Sequence, residues 1–313
     1  MRREASLRQL RALVQRALQQ LGWQRPVRRG RKPRYSEGLI ITLALYMQQE
    51  NLSIREVLSR AGAELGEPMP VPSTLVHRLH RLEPALMERV VEVLGAWAVQ
   101  QQGRGGEGGG MGLCAMDGTG FGYDDVLGLS YKRGKEVRRV RAHVRVVVLM
   151  ALKDGRGCGA VLGVAGGGAY ASEVKLAEGM LGRKKGGAVG LGLVLADGCY
   201  DAVKVLRGVQ EAGGRALVKL KGGRTGRRVR DPLRQEVAAR WKQEGKLYSR
   251  RNAVEALFSQ VKRKMGSVLR VRSERVAMVL ALARFACWNA CLLLAASDDG
   301  ILFVLVFLLP RHP

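Results

Sequence analysis

Two carboxylates and one segment of mixed charge are the residues whose types and spacing could do chemistry. Asp117 directly follows the apolar run Leu113–Met116, and Asp197 follows Leu193–Ala196 in the same way. An Asp that closes a strand is commonly a turn former. Two acids leaving two strands at equivalent places can meet in one crevice, because functional groups of an α/β sheet collect at the carboxyl ends of its strands. The segment is Tyr248–Lys262, in which Tyr248, Arg251, Glu255 and Lys262 stand three, four and seven residues apart. On a helix turning about 100° per residue these four fall within roughly 60° of one another. One edge then carries a ring, a guanidinium, a carboxylate and an ammonium. Val254, Leu257, Phe258 and Val261 form an apolar face that packs on the sheet and aims that edge at the acids. With 53 Lys plus Arg against 27 Asp plus Glu, a formal charge of +26, the crevice is expected to meet a polyanion: nucleic acid, or an anionic membrane surface.

The elements that must hold these residues follow from periodicity. Residues 1–102 read as helical, with Leu7, Leu10, Leu13, Val14 and Leu18 in one stripe, a helix over Glu37–Gln49, and a capping box at Ser53 and Glu56 that starts another. That helix is expected to end near Arg60, and a basic one with Arg78 and Arg81 on its polar side begins near Ser73. The pair suggests a helix-turn-helix-like unit for DNA binding or dimerisation, although the stretch Ala61–Pro72 is long for a tight example. Gly103–Gly110 reads as a linker and a domain boundary. Beyond it come short apolar strands over 112–116, 144–152, 159–164, 191–196 and 216–220, with helices between the later ones. This predicts an α/β domain over 111–296, a mixed sheet with flanking helices, preceded by the all-α region.

Three further basic stretches fit phosphate contact. Arg25–Arg34 packs six cations, including Arg28, Arg29, Arg31 and Lys32, with no acid, and Lys132–Arg145 and Arg215–Arg234 are similarly biased. Five scattered cysteines without a Cys-x-x-Cys pair support neither a disulfide framework nor a zinc site, which fits a reducing cytoplasm. The apolar tail 297–313 has nine consecutive apolar residues, Ile301–Leu309, too few to span a bilayer as a helix, so no membrane partner is expected. No phosphate-binding glycine motif is present, so no nucleotide cofactor is expected.

The order Tyr248, Arg251, Glu255, Lys262 resembles the signature of bacterial insertion-sequence transposases of the DDE class, in the superfamily of the fourth and fifth insertion-sequence families. Asp117-Gly118-Thr119-Gly120 and Asp197-Gly198-Cys199-Tyr200-Asp201 resemble that family's segments after the first and fourth strands of an RNase H-like core. The resemblance implies a DNA transposase that binds terminal inverted repeats, pairs two ends as a homodimer, and cleaves and joins DNA near the nucleoid. It implies Asp117, Asp197 and Glu255 as catalytic ligands of two Mg²⁺ ions, with Mn²⁺ able to substitute. Tyr248, Arg251 and Lys262 are the implied DNA contacts. The short interval before Glu255 resembles the compact type without a β insertion. Gly168–Glu173 departs from the family in lacking the acidic or histidine residue often found after the third strand. Two other readings remain open: an RNase H-like nuclease or resolvase, and a non-catalytic DNA-binding derivative of a transposase.

Overall fold

Serine hydroxyls start the helices of the N-terminal region. Ser6 with Gln9 forms a capping box on α1 (Leu7–Gln20), Ser36 caps α2 (Glu37–Gln49), and Ser53 with Glu56 forms a second box on α3 (Ile54–Leu65). Each hydroxyl satisfies an amide that the first turn leaves unpaired. α3 runs past Arg60 and stops at Gly66, whose φ of 64° is left-handed. The connection to α4 (Pro72–Arg81) is therefore only Gly66–Val71, tighter than the sequence suggested. α5 (Pro84–Gln101) completes the region. The computed structural model describes residues 4–25, 33–101, 112–123, 129–133, 136–140, 142–153, 157–185, 190–221 and 230–295. Arg28, Arg29, Arg31, Lys32, the stretch 103–110 and the tail 297–313 lie outside the described residues.

The strands in chain order are β1 (Leu113–Tyr123), β2 (Leu129–Arg133), β3 (Glu136–Val140), β4 (His143–Lys153), β5 (Gly157–Gly168), β6 (Leu193–Ala196), β7 (Arg215–Val218) and β8 (Val268–Leu269). The main sheet has the order β5-β4-β1-β6-β7, with β8 pairing the far end of β1. β1 is antiparallel to β4 and parallel to β6, and β6 is parallel to β7. This is an RNase H-like mixed sheet, as the sequence led us to expect. β2 and β3 pair as a separate hairpin inside a stretch read from sequence only as basic.

One expectation needs correction: Asp117 does not end its strand. The parallel β1–β6 ladder stops at Met116 and Ala196, but the antiparallel β1–β4 ladder continues through Asp117 to Gly122. Pairing with β4 holds the run 118–122 extended, although its three glycines disfavour a strand. The inference about placement survives, since both acids come one residue after the last β1–β6 pair.

Helices cover the sheet: α6 (Glu173–Gly182), α7 (Val203–Glu211), α8 (Pro232–Glu244), α9 (Asn252–Met265) and α10 (Glu274–Ala295), with a 3₁₀ segment Gly245–Arg251 leading into α9. α10 is long and apolar enough to cross a membrane by composition, with a mean hydropathy of 1.9, yet that stretch is wholly buried in the protein. It packs on β4 and β5 on one side and on α2 and α5 on the other. One hydrophobic core thus runs from α1 to α10, and the N-terminal helices share it with the sheet. Asn289 of α10 makes the joint: its Nδ2 donates to the carbonyls of Val91 and Val161 at 3.0 and 2.8 Å, and its Oδ1 accepts from Val161 N at 2.8 Å. Gly95 of α5 is required there, because a Cβ would collide with the Val161 carbonyl.

Candidate active site

The local geometry of the two strand acids is the same. Asp117 Oδ1 accepts from the amide of Gly118 at 2.8 Å, and Asp197 Oδ1 accepts from that of Gly198 at 2.6 Å. Adjacent parallel strands bring the two acids side by side. Asp117 is half-buried and Asp197 is exposed at the head of a short 3₁₀ turn, Gly198–Tyr200.

The third acid arrives on α9. Arg251 joins it to the first: Nη1 lies 2.7 Å from Asp117 Oδ2, and Nη2 lies 2.7 Å from Glu255 Oε1. Such charge-assisted contacts are the strong class of hydrogen bond. The single helical face expected for the signature is partly redrawn. Tyr248 and Arg251 lie in the 3₁₀ segment, and only Glu255 and Lys262 lie in α9. Residues three apart eclipse in a 3₁₀ turn, so Tyr248 and Arg251 still share a side. The Tyr248 ring packs 4.8 Å from Trp241, whose indole N–H donates to Val218 O at 2.7 Å. Lys262 stands apart from the acids, with its Nζ 5.4 Å from the ring of Phe121, four residues further along β1 than Asp117. Arg284, fully buried in α10, approaches the same ring at 4.9 Å and donates to Gly266 O and Val268 O at 2.7 and 3.1 Å, which anchors the end of α9.

The electrostatics agree with an acid cluster. Burial pushes the Asp117 carboxyl above its usual range; the Gly118 amide and then Arg251 oppose this, and Glu255 and Asp197 add to it. The Arg251 guanidinium is itself raised: burial works against its charge, and Asp117 and Glu255 more than offset that. Burial, followed by Glu173, Asp197 and Asp117, pushes the Cys199 thiol up to about 12, so this half-buried sulfur stays protonated. Burial and the nearby Arg284 lower Lys262.

Sequence reasoning missed Glu173. The first residue of α6, it approaches Gly118 and faces Arg145 at 3.4 Å. An acid does therefore stand after the third strand of the core, at the end of the segment that was read as lacking one. Its only signal was an acidic first residue behind the Ser172 cap, which reads as ordinary helix chemistry. Asp201 has a structural part: its side chain is 1% exposed and binds Arg234 at 2.6 Å and Lys221 N at 2.7 Å.

Residues 108–290, more than half of the chain, match the transposase DDE domain family. The chain belongs to this family. An uncharacterised protein of Aquifex aeolicus (strain VF5) is 28% identical over 269 residues, which span 85% of this chain and 80% of that protein. As a DDE transposase the chain acts on DNA, and the family's chemistry uses divalent metal. The donor set fits such an ion, since all three acids offer hard oxygen ligands. In the present arrangement no three acid, His or Cys side chains among the described residues are grouped to share one ion. Arg251 is the cation that Asp117 and Glu255 hold in common.

The DNA contacts expected on α4 divide. Arg81 is exposed, but Arg78 is 8% exposed, with Nη2 2.7 Å from Glu37 Oε1 and Nη1 donating to Tyr35 O at 2.7 Å. This corrects the expectation for Arg78: it ties α4 to the start of α2, with both terminal nitrogens engaged by Tyr35 and Glu37. Arg78 and the exposed Arg81 both line an open cavity of about 740 Å³ with Arg25, Arg34, Thr74 and His77.

Proposed function

We propose that this chain is the transposase of an insertion sequence in the superfamily of the fourth and fifth families, of the compact type. In this reading it binds the terminal inverted repeats, pairs two ends as a homodimer, and carries out Mg²⁺-dependent DNA cleavage and strand transfer. The observation that carries the reading is the convergence of Asp117 and Glu255 on one guanidinium, with Asp197 level with Asp117 on the next strand.

Asp117, Asp197 and Glu255 would hold the two ions, Mg²⁺ or in its place Mn²⁺. Ions so held supply an activated attacking oxygen, a stabilised leaving oxygen and neutralised phosphoryl charge. The chain's own groups do the rest. The following amides each hold one oxygen of Asp117 and of Asp197, and the outer oxygen of Asp117 would become available when Arg251 leaves it. Arg251 binds a phosphate as a planar fork when it leaves the carboxylates. Tyr248, braced by Trp241, offers a ring edge beside the acids for a displaced base. Lys262 adds a point charge where the strand leaves the cluster.

The N-terminal region, residues 1–102, would read the transposon end, with the exposed side of α4 and the cations around the 740 Å³ cavity tracking the backbone. Two substitutions separate contact from scaffold. Arg81→Ala should lower the slope of log affinity against log salt by about 1 for any duplex. Arg78→Ala should leave that slope unchanged and destabilise the fold by about 2–3 kcal/mol, because it strands Glu37, with Arg25 at 3.4 Å as partial relief. Urea unfolding and a salt titration of binding measure both.

The function is tested with purified protein, Mg²⁺ and labelled duplex carrying the DNA that flanks its gene. Cuts at the inverted-repeat boundary together with joined products are expected. Cut ends that never join would make it a nuclease or resolvase, and salt-sensitive binding without cutting would make it a non-catalytic derivative.

A further inference from the structure

The β1–β6 ladder brings the two strand acids level but ends one residue before both, so no ladder hydrogen bond joins the acids themselves. A side chain on one face of the sheet spans that gap. Side chains alternate across β1. Asp117 faces Arg251 of the 3₁₀ segment, Phe121 faces α10, and Gly118 faces α6. On that second face stands Glu173. Its carboxylate comes so close to Gly118 that a Cβ there would lie 2.8 Å from both Cδ and Oε2. Oε2 accepts from the Tyr200 hydroxyl at 3.4 Å and lies 3.9 Å from Cys199 Sγ. Oε1 lies 3.4 Å from Arg145 Nη1, which also donates to Ala171 O at 3.2 Å and so holds the start of α6 onto β4. One carboxylate therefore touches the residue after Asp117, the second and third residues after Asp197, and a strand neighbouring β1.

We propose that Glu173 is a positioning residue of the reaction: from the face of the sheet opposite Arg251 it ties the strand residue after Asp117 to the turn after Asp197, and so sets the spacing of the two carboxylates. The proposal rests on the reading of those two acids as a metal-holding pair. Ser172 places it, because its hydroxyl caps α6 and orients the first helical residue toward β1. Gly118 admits it, because only a residue without a Cβ leaves room for the carboxylate.

The second point provides a test that does not depend on deleting the acid. The atoms that a Cβ at position 118 would meet are the far end of a flexible side chain, so Gly118→Ala should displace the Glu173 carboxylate and leave the sheet standing. Gly118→Ala, Glu173→Ala, the double variant and Glu173→Gln are compared in the full chain. The readouts are Mn²⁺ affinity without DNA, affinity for end DNA, single-turnover cleavage rate and melting temperature. Each single Ala variant is expected to weaken Mn²⁺ binding about 10-fold and to slow cleavage by roughly 10- to 100-fold, as loss of an outer support for a metal ligand does. DNA affinity and melting temperature should stay near wild type, and the double variant should be no worse than either single one. Glu173→Gln, which keeps an oxygen for Tyr200, should recover most of the loss.

Mn²⁺ binding that depends on Asp117 but ignores both Gly118→Ala and Glu173→Ala overturns the proposal alone. So do losses that add in the double variant, or losses that track a fallen melting temperature. Mn²⁺ binding indifferent to Asp117→Asn overturns the metal-site reading, and the proposal with it.

Discussion

Asp117→Asn is expected to lower single-turnover, Mg²⁺-dependent cleavage by on the order of 10³-fold while leaving the fold intact. Metal-held charge at a phosphoryl transition state is worth several kcal/mol, and a loss of about 4 kcal/mol corresponds to roughly 10³-fold in rate. Asn is nearly isosteric, and its amide oxygen can still accept from Gly118, where the carboxylate now does at 2.8 Å. The contact with Arg251 is weakened, but the guanidinium keeps Glu255 as a partner at 2.7 Å and is not left unpaired. The effect of pH can be signed. Burial raises the Asp117 carboxyl above its ordinary value, so the ionised form is disfavoured in the folded chain. The stability linked to this group is fully present below the ordinary carboxylate pKa and is lost as pH rises through the raised value. In EDTA at neutral pH, Asp117→Asn should therefore match the wild-type melting temperature or slightly exceed it. Wild-type cutting by the Asn variant would remove Asp117 from the reaction.

Arg251→Ala is expected to move two measurements in opposite directions. Its guanidinium makes 2.7 Å contacts with Asp117 and Glu255, so a divalent ion bound by those carboxylates must displace it. Hydrogen bonds to charged groups contribute about 1.5–3 kcal/mol. With the Glu255 side chain 53% exposed, the low end of that range applies, so Mn²⁺ binding in the absence of DNA should tighten about 10-fold. Cleavage should nevertheless fall by roughly 10²-fold, because the fork that would hold a phosphate beside the acids is gone. The resting pose of Arg251 is also incomplete: Nε is buried without a hydrogen-bond partner among the described residues. A buried unsatisfied donor costs about 1–3 kcal/mol, which favours departure once a phosphate oxygen offers it a partner. Arg251→Lys should restore the competition only in part, since an ammonium cannot bridge two carboxylates as a fork does. Weaker Mn²⁺ binding in Arg251→Ala would mean that the guanidinium organises the carboxylates and does not compete for them.

The features legible in the sequence were those set by near neighbours. The capping box of Ser53 and Glu56 marked the start of α3, apolar runs ending in Asp located Asp117 and Asp197, and the spacing around Glu255 located α9. Each depends on groups within one turn or one strand, so the chain carries the signal before it folds. Tertiary structure decided the rest. It kept β1 extended beyond Asp117 by pairing it with β4, and it turned Arg78 inward onto Glu37, 41 residues away. It laid Glu173 over Gly118 and made Arg251 the partner of Asp117 across 134 residues. Long charged side chains take whatever surface the closed fold sets opposite them, and local sequence holds no record of that surface.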